Sequence, residues 1–154
     1  MAVRVSAEDF DASAEMEKLC AGDTRIGGIA MFVGKVRGDV QGEALTSMTL
    51  EHYPGMTEAE LARIEAEARE RFRLSGSLIV HRVGELTPGD NIVLVAACAP
   101  HRQDAFRGAE FLMDYLKTRA PFWKKETLAN GTSRWVDARE SDEAAASAWQ
   151  ERST

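Results

Sequence analysis

Cysteine is scarce in this sequence: Cys20 and Cys98 are the only two in 154 residues. They stand far apart and neither belongs to a C-x-x-C pair, which argues against a disulfide framework and a thiol-redox motif. No apolar run approaches the ~18 residues of a membrane-spanning helix. The N-terminus shows no basic start followed by an apolar stretch and a cleavage site, so no secretory leader is expected. Positive charge is in deficit too. Nineteen Lys and Arg against 25 Asp and Glu give a net charge of -6, whereas a general nucleic-acid binder is usually basic. No set of His, Cys or carboxylates has metal-ligand spacing. Neither a G-x-x-x-x-G-K phosphate loop nor a G-x-S-x-G elbow occurs. The expectation is a cytoplasmic protein that needs no metal or cofactor and binds neither membrane nor nucleic acid.

What is present fits one globular domain over residues 1–154, with 44% hydrophobic and 29% charged residues. A chain this long buries roughly 70% of its unfolded surface and needs no staple. Strands are expected over Ile26–Val36, Leu45–Tyr53, Leu78–Val83 and Asn91–Cys98, with a loop from Arg37 to Glu43. The run Asn91–Cys98 is almost wholly apolar and β-branched, which suits a central strand. The turn Thr87-Pro88-Gly89-Asp90 is too short to join parallel neighbours, so the strands it joins should be antiparallel. Thr57 reads as the N-cap of a helix to about Arg73, with Glu60 completing a capping box. A second helix runs from about His101 to Arg119, where Ala105, Ala109, Leu112 and Leu116 recur at helical spacing as a core stripe. Pro121 ends it. Phe122–Leu128, an Asn130-Gly131 turn and Arg134–Val136 form a hairpin, a small sub-lobe over about 122–137. Ser141 is placed to cap a last short helix. The fold class is α+β, a mostly antiparallel sheet with two main helices and an extra terminal hairpin.

Chemistry concentrates in one place. Lys117, Arg119, Lys124 and Lys125 fall within nine residues, interleaved with Pro121, Phe122 and Trp123. Cations at a helix C-terminus offset its dipole, which accounts for Lys117 and Arg119. Lys124 and Lys125 lie beyond Pro121 and need another reason, such as an anion site. His101 and Arg102 open the second helix, where free N–H groups and an Arg suit a phosphate; simple solvation of both residues explains them equally well. Lys35 and Arg37 lie where the first long strand enters a loop, a common but weak sign of function. Arg134 and Arg139 flank Trp135, where a cation stacked on the ring is the plain structural reading. His52 and His81 sit in or beside apolar strands and read as structural histidines. Cys98 reads as inert core. Cys20 falls in a short helical stretch, and neither cysteine has cationic neighbours that would activate a thiolate.

Several longer segments say more. They are Gly34-Lys35-Val36-Arg37, Leu50-Glu51-His52-Tyr53-Pro54-Gly55-Met56-Thr57-Glu58, His81-Arg82-Val83-Gly84-Glu85-Leu86 with Pro88-Gly89-Asp90, and Arg134-Trp135-Val136 with Ala138-Arg139-Glu140. The most specific runs from Phe111 through Met113-Asp114-Tyr115-Leu116-Lys117-Thr118-Arg119-Ala120-Pro121-Phe122-Trp123-Lys124 to Glu126. In this order, and spanning about Ile26 to Trp149, they resemble the large, catalytic subunits of molybdopterin synthase. Pro100, where a smaller residue is expected, and a short loop after Arg37 depart from that pattern.

The resemblance implies an α/β hammerhead fold and a sulfurtransferase. Its partner is a ubiquitin-like small subunit whose C-terminal Gly-Gly carries a thiocarboxylate. The sulfur goes onto cyclic pyranopterin monophosphate, forming the dithiolene of molybdopterin. Two large subunits form a central dimer, with a small subunit at each end. Lys117 and Lys124 are implied as catalytic. Arg37, His101, Arg102, Arg139, Lys125 and Glu126 are implied in substrate binding, with Phe32 and Met113 as apolar walls. Neighbouring cations favour a neutral lysine amine that can act as base or nucleophile. One geometric problem follows. His101 and Lys117 lie about 24 Å apart along one helix, too far for one small substrate, which argues for a site shared across a two-fold axis. Two other readings stay open, a non-catalytic module for a ubiquitin-like partner and a pterin or nucleotide sensor. A catalytically dead relative is expected to lose Lys117 or Lys124, and both are present.

Overall fold

The strands pair, mostly over long sequence distances, into two sheets rather than one. A computed structural model describes residues 3–136 and 140–151; Arg139 lies outside them. The first sheet has the order β1 (Val3–Ser6), β5 (Gly76–Arg82), β7 (Asn91–Ala99), β2 (Gly28–Lys35). β1 runs parallel to β5, and the other pairs are antiparallel. The second sheet has the order β3 (Asp39–Val40), β4 (Glu43–His52), β8 (Phe122–Leu128), β9 (Ser133–Val136). β6 (Gly84–Leu86) pairs with β4 beside it. The helices are α1 (Ala12–Cys20), α2 (Met56–Arg71), α3 (Arg102–Arg119) and α4 (Glu140–Glu151). The fold class is therefore α+β, as expected, and among the described residues every strand pair except β1–β5 is antiparallel.

Burial follows the sequence period. On α3 the stripe Ala105, Ala109, Leu112 and Leu116 is buried, with Phe111 and Tyr115 filling the gaps. β7 is buried from Val93 to Ala99 because α3 covers one face and α1 shields part of the other. Trp149 of α4 packs edge-on against Phe72 and Phe111, and its indole N–H donates to the Asp114 carboxylate at 2.6 Å. Burying one such aromatic side chain is worth roughly 1.5–3 kcal/mol. A second, smaller core of Val36, Val40, Leu45, Met48, Leu50, Leu86 and Leu128 lies under the second sheet.

Some boundaries differ from the sequence reading. α2 begins after Gly55, which takes φ +86, a conformation that favours glycine. The Glu58 carboxylate accepts the Gly55 N–H at 3.2 Å, so the cap sits two residues ahead of Thr57. Thr57 is instead buried, and its hydroxyl donates to the Pro121 carbonyl at 2.9 Å while accepting the Tyr53 N–H. Ser141 lies inside α4 rather than before it. Part of the expected Arg37–Glu43 loop is the short strand β3. Where β2 begins and β7 ends, the backbones approach very closely. A side-chain carbon at Gly27 would lie 1.9 Å from the Pro100 carbonyl oxygen.

Candidate active site at the C-terminal end of α3

Between the two sheets, at the end of α3, lies a cavity of about 510 Å³. Each wall has a local reason to be there. β2 ends at Lys35, where a register shift after Gly34 breaks the ladder with β7, and the chain turns Arg37 toward the cavity. Lys35 Nζ donates to the Gly89 carbonyl at 3.2 Å and pins this corner. The last two turns of α3 supply Met113 and Lys117. The bond from Thr57 to Pro121 holds the α3-to-β8 turn against the start of α2. The pleat of β8 then sends Phe122, Lys124 and Glu126 to the cavity.

Lys125, on the opposite pleat, points away. Its ammonium lies 6.0 Å from the centre of the exposed Trp135 ring. Trp123 is exposed beside it.

The electrostatics of the cavity oppose those of the chain. Four cations line it, Lys35, Arg37, Lys117 and Lys124, against one carboxylate, Glu126. Glu126 is buried and paired with Arg134 Nε at 3.3 Å. Part of its charge is therefore already satisfied from the β9 side. Phe32 is 47% exposed and Met113 half-buried, and both face the cavity as apolar surface.

His81 also lines the cavity. Its Nδ1–H donates to the Arg82 carbonyl at 2.7 Å, and its ring stacks on Phe122 at 3.8 Å. Burial lowers its pKa from 6.5 to about 4, and the charges of Lys117 and His52 push the same way. The imidazole is neutral, with Nε2 as its acceptor. From the sequence His81 reads as structural and Lys35 as a weak signal; the structure adds both to the cavity wall. No pattern in β5 could separate a cavity histidine from a core one, because its central positions Ser77–His81 are all buried.

Of the residues singled out from sequence, the cavity gathers Lys117, Lys124, Arg37, Glu126, Phe32 and Met113. It does not gather His101, Arg102 or Lys125. His101 is the N-cap of α3 and makes no side-chain capping bond, and both it and Arg102 are exposed. Arg139 falls outside the described residues. Neither cysteine lines the cavity. Among the described residues no three His, Cys, Asp or Glu side chains are grouped to hold a metal ion, and no helix is long and apolar enough to cross a membrane.

Such a site, cationic, partly apolar and without a thiol, suits an anionic group attached to a flat or extended organic body. Comparison with known proteins agrees. Residues 5–119 match the family model described as MoaE protein. The chain is 52% identical, over 98% of its length and 94% of the relative's, to the molybdopterin synthase catalytic subunit of Mesorhizobium japonicum. It superposes with a TM-score of 0.82 on the molybdopterin biosynthesis MoaE protein of Burkholderia ambifaria, at 53% identity, covering 97% of this chain and 99% of that one. The crystal structure of molybdopterin synthase from Staphylococcus aureus matches with a TM-score of 0.80 at 32% identity, covering 86% of this chain and 95% of that one.

Proposed function

The chain belongs to the MoaE protein family, and on that premise we propose how it acts. It is the catalytic subunit of a molybdopterin synthase, a cytoplasmic sulfurtransferase. The donor is the C-terminal thiocarboxylate of a ubiquitin-like small subunit, and the acceptor is cyclic pyranopterin monophosphate. The observation that carries this reading is the cavity itself. Four cations converge there in a chain of net charge -6, and no cysteine is among its walls. Sulfur therefore has to arrive on another molecule, and both that molecule's tail and the phosphate of the precursor are anions that such a site attracts.

Roles follow from placement. Lys117 stands at the wall of the cavity on the last turn of α3 and serves as the proton-transfer group or as the nucleophile toward the small-subunit tail. Lys124, on the adjoining strand, holds the tail carboxyl group and supports the same step. Arg37 takes the phosphate from the opposite side. Glu126, fixed by Arg134, orients the neighbouring ammonium groups. Phe32 and Met113 hold the ring or the tail by apolar contact. His81 offers an acceptor nitrogen that stays unprotonated at neutral pH. Lys125, turned away from the cavity over the Trp135 ring, has no part in this site. Residues 1–154 act as one domain, with the β8–β9 hairpin as its small lobe. His101 and Arg102, and Arg139, complete the phosphate site in a homodimer, where the start of one α3 meets the cavity of its partner.

Reconstitution tests the reading. The purified chain, a small subunit carrying the thiocarboxylate and the pterin precursor are combined, and the dithiolene product is measured. Product should form only with all three present. A folded chain that binds the loaded partner and yields no product would make it a binding module instead.

A further inference from the structure

Cys20 and Cys98 are 78 positions apart in the chain, yet their sulfurs lie 4.0 Å from one another. Both are free thiols. Cys98 is fully buried near the end of β7. Cys20 is the last residue of α1 and half-buried, so solvent reaches it. We propose that the two form a reversible dithiol–disulfide pair, a modification site oxidised by small-molecule disulfides.

The geometry favours closure. A disulfide bond is about 2.05 Å long, so the sulfurs have roughly 2 Å to travel. Cys98 cannot supply the movement. It sits in a strand paired on both sides, opposite Ile29 and Gly76. Cys20 can, because α1 has no fully buried side chain. Leu19 beside it rests on Gly76 and on the small apolar patch of the outer sheet face. A rotation of the Cys20 side chain with a slight settling of α1 brings the sulfurs together. The chain's lack of a C-x-x-C motif hid this pair, since the contact is made by the packing of α1 on the sheet.

The chemistry runs in two steps. The Cys20 thiolate attacks one sulfur of the oxidant, whose S–S bond breaks and releases one thiolate. This leaves a mixed disulfide on Cys20. Cys98 then gives up its proton to hydroxide and attacks the Cys20 sulfur, forming the new S–S bond and expelling the second thiolate. Two protein thiols are oxidised and one small disulfide is reduced to two thiols. Access decides the order of attack. In the reduced pair burial, with the neighbouring Cys20, pushes the Cys98 thiol up to about 12, and the Asp23 carboxylate adds to this. Once Cys20 carries the mixed disulfide its contribution is gone, and burial still holds the Cys98 thiol above its ordinary value. The resolving step is therefore slow at neutral pH and quickens about tenfold per pH unit. The finished bond joins the end of α1 to the strand that leads into His101.

The test uses the native full chain with excess glutathione disulfide, followed by intact mass and by peptide mapping without reductant. The wild type should pass through a single glutathione adduct on Cys20. It should end two hydrogens lighter than the reduced chain, with the Cys20 and Cys98 peptides linked, and dithiothreitol should reverse this. Cys98→Ala should stop at the adduct, and Cys20→Ser should take up no glutathione. A wild type that keeps its adduct, links Cys20 between two chains, or leaves Cys20 unreacted would overturn the proposal. Should Cys98→Ala fail to fold, the wild-type map and Cys20→Ser still decide.

Discussion

At its C-terminal end α3 delivers Lys117 into a walled cavity beside Lys124, Arg37 and Glu126, whereas at its N-terminal end it leaves His101 and Arg102 exposed. Both ends carry cations, and the surroundings differ entirely. The C-terminal end has an apolar floor, a neutral imidazole and a buried carboxylate. At the N-terminal end the backbone donors of the helix start lie outside that cavity, with His101 and Arg102 exposed. A single chain thus holds one walled cationic cavity and one exposed pair of basic residues. Simple solvation accounts for the exposed end as it stands; under the proposed function, a second copy across a two-fold axis would bring it to a ligand with no new component.

The sharpest way to break this contrast is at Lys117. Lys117→Ala should fold and bind the small subunit, and its turnover should fall by about 10²–10⁴. Near wild-type turnover would mean that the cavity end is not the reactive one.

Acid should also act on the cavity end. His81 is held neutral, with a folded pKa of about 4 against 6.5. The unfolded chain therefore binds more protons than the folded one between those values. Stability is full above pH 6.5 and is lost as pH falls toward 4, by roughly 3 kcal/mol. Denaturant melts of the wild type and of His81→Gln between pH 7 and 4 check this; an equally steep decline in both would assign the effect elsewhere.

Substitutions at each end sharpen the comparison. Arg37→Ala and Arg102→Ala should each weaken precursor binding by about tenfold or more, the worth of a charged hydrogen bond. Small-subunit affinity should hold in both. Calorimetry that found the reverse would exchange the two surfaces. Mixing Lys117→Ala with His101→Ala, each inactive, should restore about a quarter of wild-type activity if the ends meet across the dimer. No recovery after proven subunit exchange would give each chain its own site. The smallest effect is expected from Cys20→Ala with Cys98→Ala, which lies outside the cavity: turnover should stay near wild type. Total loss in a folded double variant would show that the chain handles sulfur on its own thiols.

The sequence displayed the elements whose signal is periodic and long. The α3 stripe, the apolar β7 and the Asn130-Gly131 hairpin all stand where their patterns place them. It concealed those whose signal is short or distant. β1 is four residues that pair with β5, far along the chain, and β6 is three residues beside β4. Thr57 looked like a cap because its hydroxyl suits one; the structure uses that hydroxyl to hold Pro121 instead. The candidate site was legible as a cluster of cations. Which of them share a cavity was not, since that depends on the pleat that parts Lys124 from Lys125.

The close approach at Gly27 has a consequence for anyone reading mutational tolerance. Position 27 is exposed and lies outside the cavity, so a surface map would mark it as free to vary. Any larger residue there would collide with the Pro100 carbonyl and shift the entry into α3. In a saturation library selected for growth, this column should therefore admit glycine alone, resembling a catalytic position although its requirement is one of clearance.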